Sequence, residues 1–418
     1  MATLVVEGGR RLSGVVEVEG NKNAALPLLA ACLLTPEECV FENAPRIRDV
    51  DAMCALLQSL GAVVEGVGTS TLRVRCHELR TTDPDPALVA RLRGSVLLIA
   101  PLLARAGRAG LGEPGGDFPG RRSMSTHYRA LGALGALPEA PGGRALAAPD
   151  GLRAASLYLD EASVTATETV LLAAATAPGT TEIRHAAGEP HVAELARFLR
   201  RMGADISGEG TSTLRVTGVD RLSGAAHRMD GDFVEAGTWA VVAAATGGEV
   251  EIRGARALDM EPILAVLSRF GVRFEVDDGR LRILESPLEG AGRVTTGVWP
   301  GFPSDMVSLV TVLATQARGS TLVHDWLYEL RLFALEQLSG MGADLFLCDP
   351  HRIVVTGPRR LRGRALDSRD LRSGMALVVA ALCAEGASRI DSLETIERGY
   401  ARLVERLQAL GAAASREG

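Results

Sequence analysis

Residues 191–216 read HVAELARFLRRMGADISGEGTSTLRV. Val192, Leu195, Ala196, Phe198, Leu199 and Met202 recur at helical spacing, so one face of the segment turns toward a core. Gly203 then suits the left-handed position that closes a helix, where a side chain would be strained. Strand signals follow. Ile206 opens an extended stretch, Gly208-Glu209-Gly210 supplies a turn, and Thr213-Leu214-Arg215-Val216 alternates as a half-buried strand does.

The same order of helix, glycine stop and strand recurs along the chain. Its glycine stops are Leu60-Gly61-Ala62, Leu134-Gly135-Ala136, Met202-Gly203-Ala204, Phe270-Gly271-Val272, Met341-Gly342-Ala343 and Leu410-Gly411-Ala412, with glycines 68 to 74 residues apart. Residues 68–74 and 210–216 are the same heptapeptide, GTSTLRV. Units near 70 residues exceed the period of a solenoid, roughly 20 to 50 residues. A chain of 418 residues also exceeds what one core usually serves. The predicted architecture is α/β, with three units closing on one core, twice.

Composition narrows the function. With 47% hydrophobic and 23% charged residues the chain reads as soluble and globular. Apolar runs such as Ala24 to Leu34 are too short to span a bilayer, and the first residues carry no basic region or cleavage site of a secretory signal, so the expected compartment is the cytoplasm. A formal charge of −6 without a basic block argues against nucleic acid as partner. Six cysteines, at 32, 39, 54, 76, 348 and 383, lack metal-site or Cys-x-x-Cys spacing and read as small buried hydrophobes. Residues 112–120, GEPGGDFPG, match neither a dinucleotide fingerprint nor a nucleoside-triphosphate loop and read as a lid.

Lys22 is the one lysine among 45 basic residues, in Gly20-Asn21-Lys22-Asn23-Ala24-Ala25. Where arginine serves everywhere else, a retained lysine points to a need for a compact point charge in a tight anionic site. Five further segments stand out: Pro114-Gly-Gly-Asp, Ser163-Val-Thr-Ala-Thr-Glu, Phe302-Pro-Ser-Asp-Met, Asp370-Leu-Arg and Glu397-Arg-Gly-Tyr. In order and spacing these motifs resemble the enolpyruvyl transferases, in particular the branch that acts on UDP-N-acetylglucosamine. The resemblance runs from Gly8 to about Gly411.

The resemblance implies two inside-out α/β barrels of three βαβαββ repeats each. Residues 1–21 and 231–418 would form one discontinuous domain, residues 22–230 a second carrying the 112–122 lid, and the active site would lie in the cleft between them. It implies no metal and no organic cofactor.

Enolpyruvyl transfer needs cations around a phosphate and a carboxylate. It also needs an acid to protonate the vinyl methylene and a base for the attacking hydroxyl. By resemblance Lys22, Arg122 and Arg398 match the phosphate contacts, and Arg331 and Arg372 match cations near the carboxylate of phosphoenolpyruvate. Asp305 matches the base, although an aspartate before an apolar periodic run is also an ordinary helix cap. Asp117 stands where many members have a reactive cysteine as general acid, which implies resistance to fosfomycin, since that compound alkylates the thiol. Acceptor contacts map to Asn23, Arg93, Ser123, Ser125, His127, Ser163, Val164, Thr165, Asp305 and Leu327.

Departures from the family gather on the acceptor side. Ser123, Met124 and Ser125 replace a stretch with proline and a uracil-binding aspartate, Glu161 replaces a lysine, Thr165 replaces a glycine, and Phe233 replaces a basic residue. Three functions are therefore carried forward: transfer to the 3-hydroxyl of UDP-N-acetylglucosamine in peptidoglycan precursor synthesis; transfer to UMP or a related nucleotide, as in nucleoside antibiotic pathways; and a non-catalytic binding paralogue. Shikimate 3-phosphate is disfavoured as acceptor, because the Pro114 and Phe302 contexts resemble the UDP-sugar branch.

Overall fold

The glycine at each repeat boundary takes a backbone conformation that other residues avoid. In the computed structural model, which describes residues 2–115, 123–329 and 331–418, the φ angles of Gly61, Gly135, Gly203, Gly271, Gly342 and Gly411 lie between 75° and 110°. Each glycine N–H donates to the carbonyl three residues back. The next N–H donates to the carbonyl of a leucine five residues back, at 2.9 to 3.1 Å: Ala62 to Leu57, Ala136 to Leu131, Ala204 to Leu199, Val272 to Leu267, Ala343 to Leu338 and Ala412 to Leu407. This paired closure satisfies two orphan carbonyls of the last helical turn, and the leucine is buried in every repeat. Leucine at this position in all six repeats is thus part of the repeat signal.

The helix read from 192 to 202 spans Pro190–Arg201, and the hairpin after it pairs Asp205–Ser207 with Thr213–Thr217. Its turn is tied by the Thr211 hydroxyl, which donates to the carbonyls of Gly208 and Thr213. Thr69 does the same to Gly66 and Thr71 in the other GTSTLRV copy. The identical heptapeptides therefore make the same turn.

The chain forms two compact units. One comprises residues 2–19 and 231–418, and the other residues 20–115 and 123–230. In the first, three four-stranded mixed sheets each hold one parallel pair: Ser13–Glu17 with Glu249–Arg253, Gly292–Thr295 with Gly319–His324, and Ala365–Asp367 with Ala387–Asp391. The helices Phe233–Ala245, Val307–Gln316 and Leu371–Cys383 precede the second strand of each pair. They pack on one another and are buried almost throughout, which is why their sequences are apolar on every side.

The second unit repeats the scheme. Ser156–Tyr158 runs parallel to Thr180–Arg184 across the buried helix Val164–Ala174, and Ala226–Arg228 runs parallel to Cys39–Glu42, which the helix Lys22–Ala31 precedes. The third sheet there has three two-residue strands among the described residues. Pro138 lies within one of them and Pro141-Gly142-Gly143 follows, so a longer ladder cannot form. The run Ala24 to Leu34 is a buried helix and a 3-10 turn, and no helix among the described residues is long and apolar enough to cross a membrane.

Cys32, Cys39, Cys54 and Cys76 are buried as expected. Cys348 is not: it is exposed on the strand Asp344–Asp349, because its even position shares the outward face with Asp344 and Phe346 while Leu345 and Leu347 turn inward.

Candidate active site

Phe302-Pro303 leads into a single 3-10 turn, Ser304–Met306, that continues as the buried helix Val307–Gln316. Asp305 lies inside this turn and does not cap the helix. Its carboxylate is engaged by two arginines: Oδ1 accepts from Arg331 Nη1 at 3.2 Å, and Oδ2 accepts from Arg372 Nη2 at 2.8 Å. The two cations are 5% and 8% exposed, while the Asp305 side chain retains 28%. One edge of an anion is thus offered to solvent from between two nearly buried guanidinium groups.

Local structure places both arginines. Asp370 caps the helix Leu371–Cys383 by accepting from the N–H groups of Arg372 and Ser373, which sets Arg372 in the first turn. A cation there opposes the helix dipole. Burial works against its charge as well, yet Asp305, Tyr400 and Asp232 outweigh it and raise the Arg372 pKa. Arg372 Nη1 also donates to the Tyr400 hydroxyl at 3.3 Å, and that hydroxyl pairs with Thr238 at 2.9 Å. Arg331 stacks over the Tyr328 ring, 4.6 Å from its centre, and donates to Ser304 Oγ at 2.8 Å. Arg398 is half-buried two residues before Tyr400. Leu327 meets this network through its backbone N–H, which donates to Asp325 at 3.3 Å.

The second unit holds Lys22 at the first residue of its helix, capped by Asn21, whose side chain accepts from the N–H groups of Asn23 and Ala24. Lys22 Nζ lies 2.8 Å from Asp49 Oδ2, and the side chains are 12% and 5% exposed. Asp49 sits in the first turn of the helix Arg48–Ser59, where the dipole favours a carboxylate. The lysine is therefore one half of a nearly buried ion pair.

His127 is buried, with Nδ1 3.0 Å from Thr169 Oγ1 and Nε2 3.1 Å from Thr165 Oγ1. Burial first, and the charge of Arg93 second, push its pKa down to about 4. A neutral ring fixed at both nitrogens explains the side chain at 165: the threonine hydroxyl is a partner for the histidine. Ser163 begins the helix Val164–Ala174 and accepts from the Ala166 N–H. Glu161 is exposed and accepts from the Thr126 hydroxyl at 3.3 Å, and Ser123 and Ser125 bond one another at 2.8 Å. The segments 123–127 and 161–165 thus come together. Asp117 and Arg122 lie outside the described residues.

Sequence reasoning missed several members of these networks. Ser304 and Tyr400 sit inside motifs already singled out, but Asp49 and Asp325 carry no local signal, because their roles depend on partners 27 and 21 residues away.

One helix turn beyond the 161–165 segment, Glu168 is 1% exposed and its Oε1 meets no hydrogen-bond partner among the described residues. Burial, and then the charge of Glu189, raise its pKa well above the model-compound 4.5. Above that value the folded chain holds a proton that the unfolded chain has lost, so this residue lowers stability as pH rises through the window between the two pKa values. Glu168→Gln is expected to melt with the parent at pH 4.5 and above it at pH 8. Parallel melting curves at both pH values would contradict a protonated Glu168.

The family model described as EPSP synthase (3-phosphoshikimate 1-carboxyvinyltransferase) matches residues 6–407. A UDP-N-acetylglucosamine 1-carboxyvinyltransferase of Bradyrhizobium diazoefficiens is 44% identical over 98% of this chain and 96% of its own length. Its counterpart in Treponema denticola is 41% identical over 98% of each. Among solved structures, the enolpyruvyl transferase NikO from Streptomyces tendae superposes with a TM-score of 0.90 at 25% identity, covering 99% of this chain and 98% of that one. An EPSP synthase from Acinetobacter baumannii, at 19% identity and a TM-score of 0.75 over the whole of both chains, shares the fold. With its repeats, its paired arginines on Asp305 and a match along almost its entire length, the chain belongs to the EPSP synthase/enolpyruvyl transferase family.

Proposed function

We propose that the chain transfers the enolpyruvyl group of phosphoenolpyruvate to the 3-hydroxyl of UDP-N-acetylglucosamine. The observation that carries this reading is the Asp305 carboxylate held between Arg331 and Arg372. It combines a proton acceptor with cations that keep N–H donors for a substrate carboxylate. The full-length relatives bear the corresponding name.

In the proposed reaction Asp117 protonates the methylene carbon of phosphoenolpyruvate, and the acceptor oxygen bonds to the adjacent carbon as its proton passes to Asp305. The adduct then returns a methyl proton to the Asp117 carboxylate and expels phosphate, which takes the proton held by Asp305, and the double bond is restored. Lys22, Arg122 and Arg398 are assigned to the phosphate, and Arg331 and Arg372 to the carboxylate. We also read the buried helices and three sheets of each unit as the inside-out barrel of the family, with residues 112–122 as a lid on the second.

Transfer to UMP is the second reading, favoured by Glu161, which sets an exposed anion where the family has a lysine, next to the acceptor contacts assigned to Ser163, Val164 and Thr165. Phosphate release, followed with phosphoenolpyruvate and each of UDP-N-acetylglucosamine, UMP and uridine, tests both. Release with UDP-N-acetylglucosamine at a higher kcat/KM than with UMP supports the first. The reverse order supports the second, and release with none supports the non-catalytic alternative.

The loop carboxylate adds a prediction. A carboxylate is a far weaker nucleophile toward an epoxide than a thiolate, so prolonged incubation with fosfomycin should leave the parent active. Asp117→Cys should show time-dependent inactivation with retained turnover. Progressive inactivation of the parent would contradict the assignment of Asp117.

A further inference from the structure

Asp325 is wholly buried just beyond the strand Gly319–His324, yet its carboxylate has no direct arginine or lysine partner among the hydrogen bonds and ion pairs of the described residues. Neutral donors surround it. Oδ1 accepts from Thr296 Oγ1 at 2.9 Å and from the Leu327 N–H at 3.3 Å, and Oδ2 accepts from Ser304 Oγ at 2.6 Å. Its backbone is pinned as well, the N–H donating to the His351 carbonyl and the carbonyl pairing with His351 Nδ1 at 2.7 Å.

A buried carboxylate needs a compensating charge, and Arg331 supplies it one hydroxyl away. A carboxylate accepts only, so the Ser304 proton points to Asp325 and the lone pairs of its oxygen are left for Arg331 Nη1, 2.8 Å distant. The same Nη1 reaches Asp305 Oδ1. Arg331 is therefore shared between two carboxylates, one met directly and one through an oriented hydroxyl.

We infer that Asp325 is a positioning residue: it orients the Ser304 hydroxyl, and through it holds Arg331 against Asp305 in the geometry that receives the donor carboxylate. The inference rests on the assignment of Arg331 to phosphoenolpyruvate made above. Asp325→Asn keeps the size of the side chain and lets its carbonyl oxygen hold Thr296 and Leu327, but turns an NH2 toward Ser304. That group donates into the oxygen Arg331 uses and no longer fixes the direction of its proton, so the anchor of the arginine is weakened while the packing stays. Ser304→Ala removes the same link from the other side.

The test is steady-state kinetics of the full chain with phosphoenolpyruvate and the acceptor nucleotide that the parent uses, for the parent, both single variants and the double variant. Each single variant should raise KM for phosphoenolpyruvate at least tenfold, about 1.4 kcal/mol, with KM for the nucleotide unchanged. The double variant should match the worse single variant within about twofold, because both act on one link. Unchanged donor KM in an active Asp325→Asn or Ser304→Ala protein overturns the inference, as do multiplicative effects in the double variant. A donor KM unchanged beside a lower melting temperature assigns Asp325 to the fold alone. A parent without transfer to any nucleotide sinks the functional reading, and this inference with it.

Discussion

Arginine in place of Lys22 is expected to lower kcat/KM for phosphoenolpyruvate by about a hundredfold, although the formal charge is kept. Hydrogen bonds to charged groups are worth about 1.5–3 kcal/mol, and about 2.7 kcal/mol corresponds to that factor. The ammonium lies 2.8 Å from Asp49 with both side chains nearly buried, so the space is fitted to a compact head on a flexible stem. A planar guanidinium is broader and engages a carboxylate along an edge. It would turn toward Asp49 and withdraw a point contact from a phosphate. Steady-state kinetics beside a thermal melt separate this from misfolding. Near-parental turnover would make the single lysine an accident of composition.

Asp305→Asn is the second large effect. General acid–base catalysis contributes about 10²–10⁴ in rate, and kcat should fall within that range when the amide can no longer take the acceptor proton. Donor affinity should move the other way. Arg331 and Arg372, 5% and 8% exposed, would lose the anion between them and would bind a substrate carboxylate at least as tightly. The expected signature is therefore a collapse of kcat with KM for phosphoenolpyruvate unchanged or lower, opposite to that of Asp325→Asn. A fall in kcat below tenfold would remove Asp305 from the role of base.

The repeats were legible because helix closure is local. Six glycine stops state where six helices end, and the bond from each following N–H to a leucine five residues back involves no distant residue. The turn made by the two GTSTLRV copies was equally local. The shortened third sheet of the second unit was less so, since Pro138 and the glycines after it weaken strands whose existence the repeat alone suggests.

The candidate site divides along the same line. Asp305 and Arg372 stand in quoted motifs and Arg331 was indicated by resemblance alone, and the structure brings the three together. The capping role open to Asp305 did not materialise, because Met306 stands at the cap position of the helix Val307–Gln316. Asp49 and Asp325 were illegible: each is an ordinary acidic residue whose meaning comes from a cation or hydroxyl that folding delivers from another repeat element. His127 shows the same limit, since only its burial and the threonines 38 and 42 residues on make it a neutral scaffold for the 161–165 segment.

Whether this chain makes an enolpyruvyl ether of a uridine nucleotide is decided by mass spectrometry of the nucleotides recovered after separate incubations of UDP-N-acetylglucosamine, UMP and uridine with phosphoenolpyruvate. A product heavier than the acceptor by one enolpyruvyl unit should form in step with one phosphate, and at least about a hundredfold more slowly in Asp305→Asn. Recovery of unmodified UDP-N-acetylglucosamine, UMP and uridine after prolonged incubation of folded parent protein would contradict it.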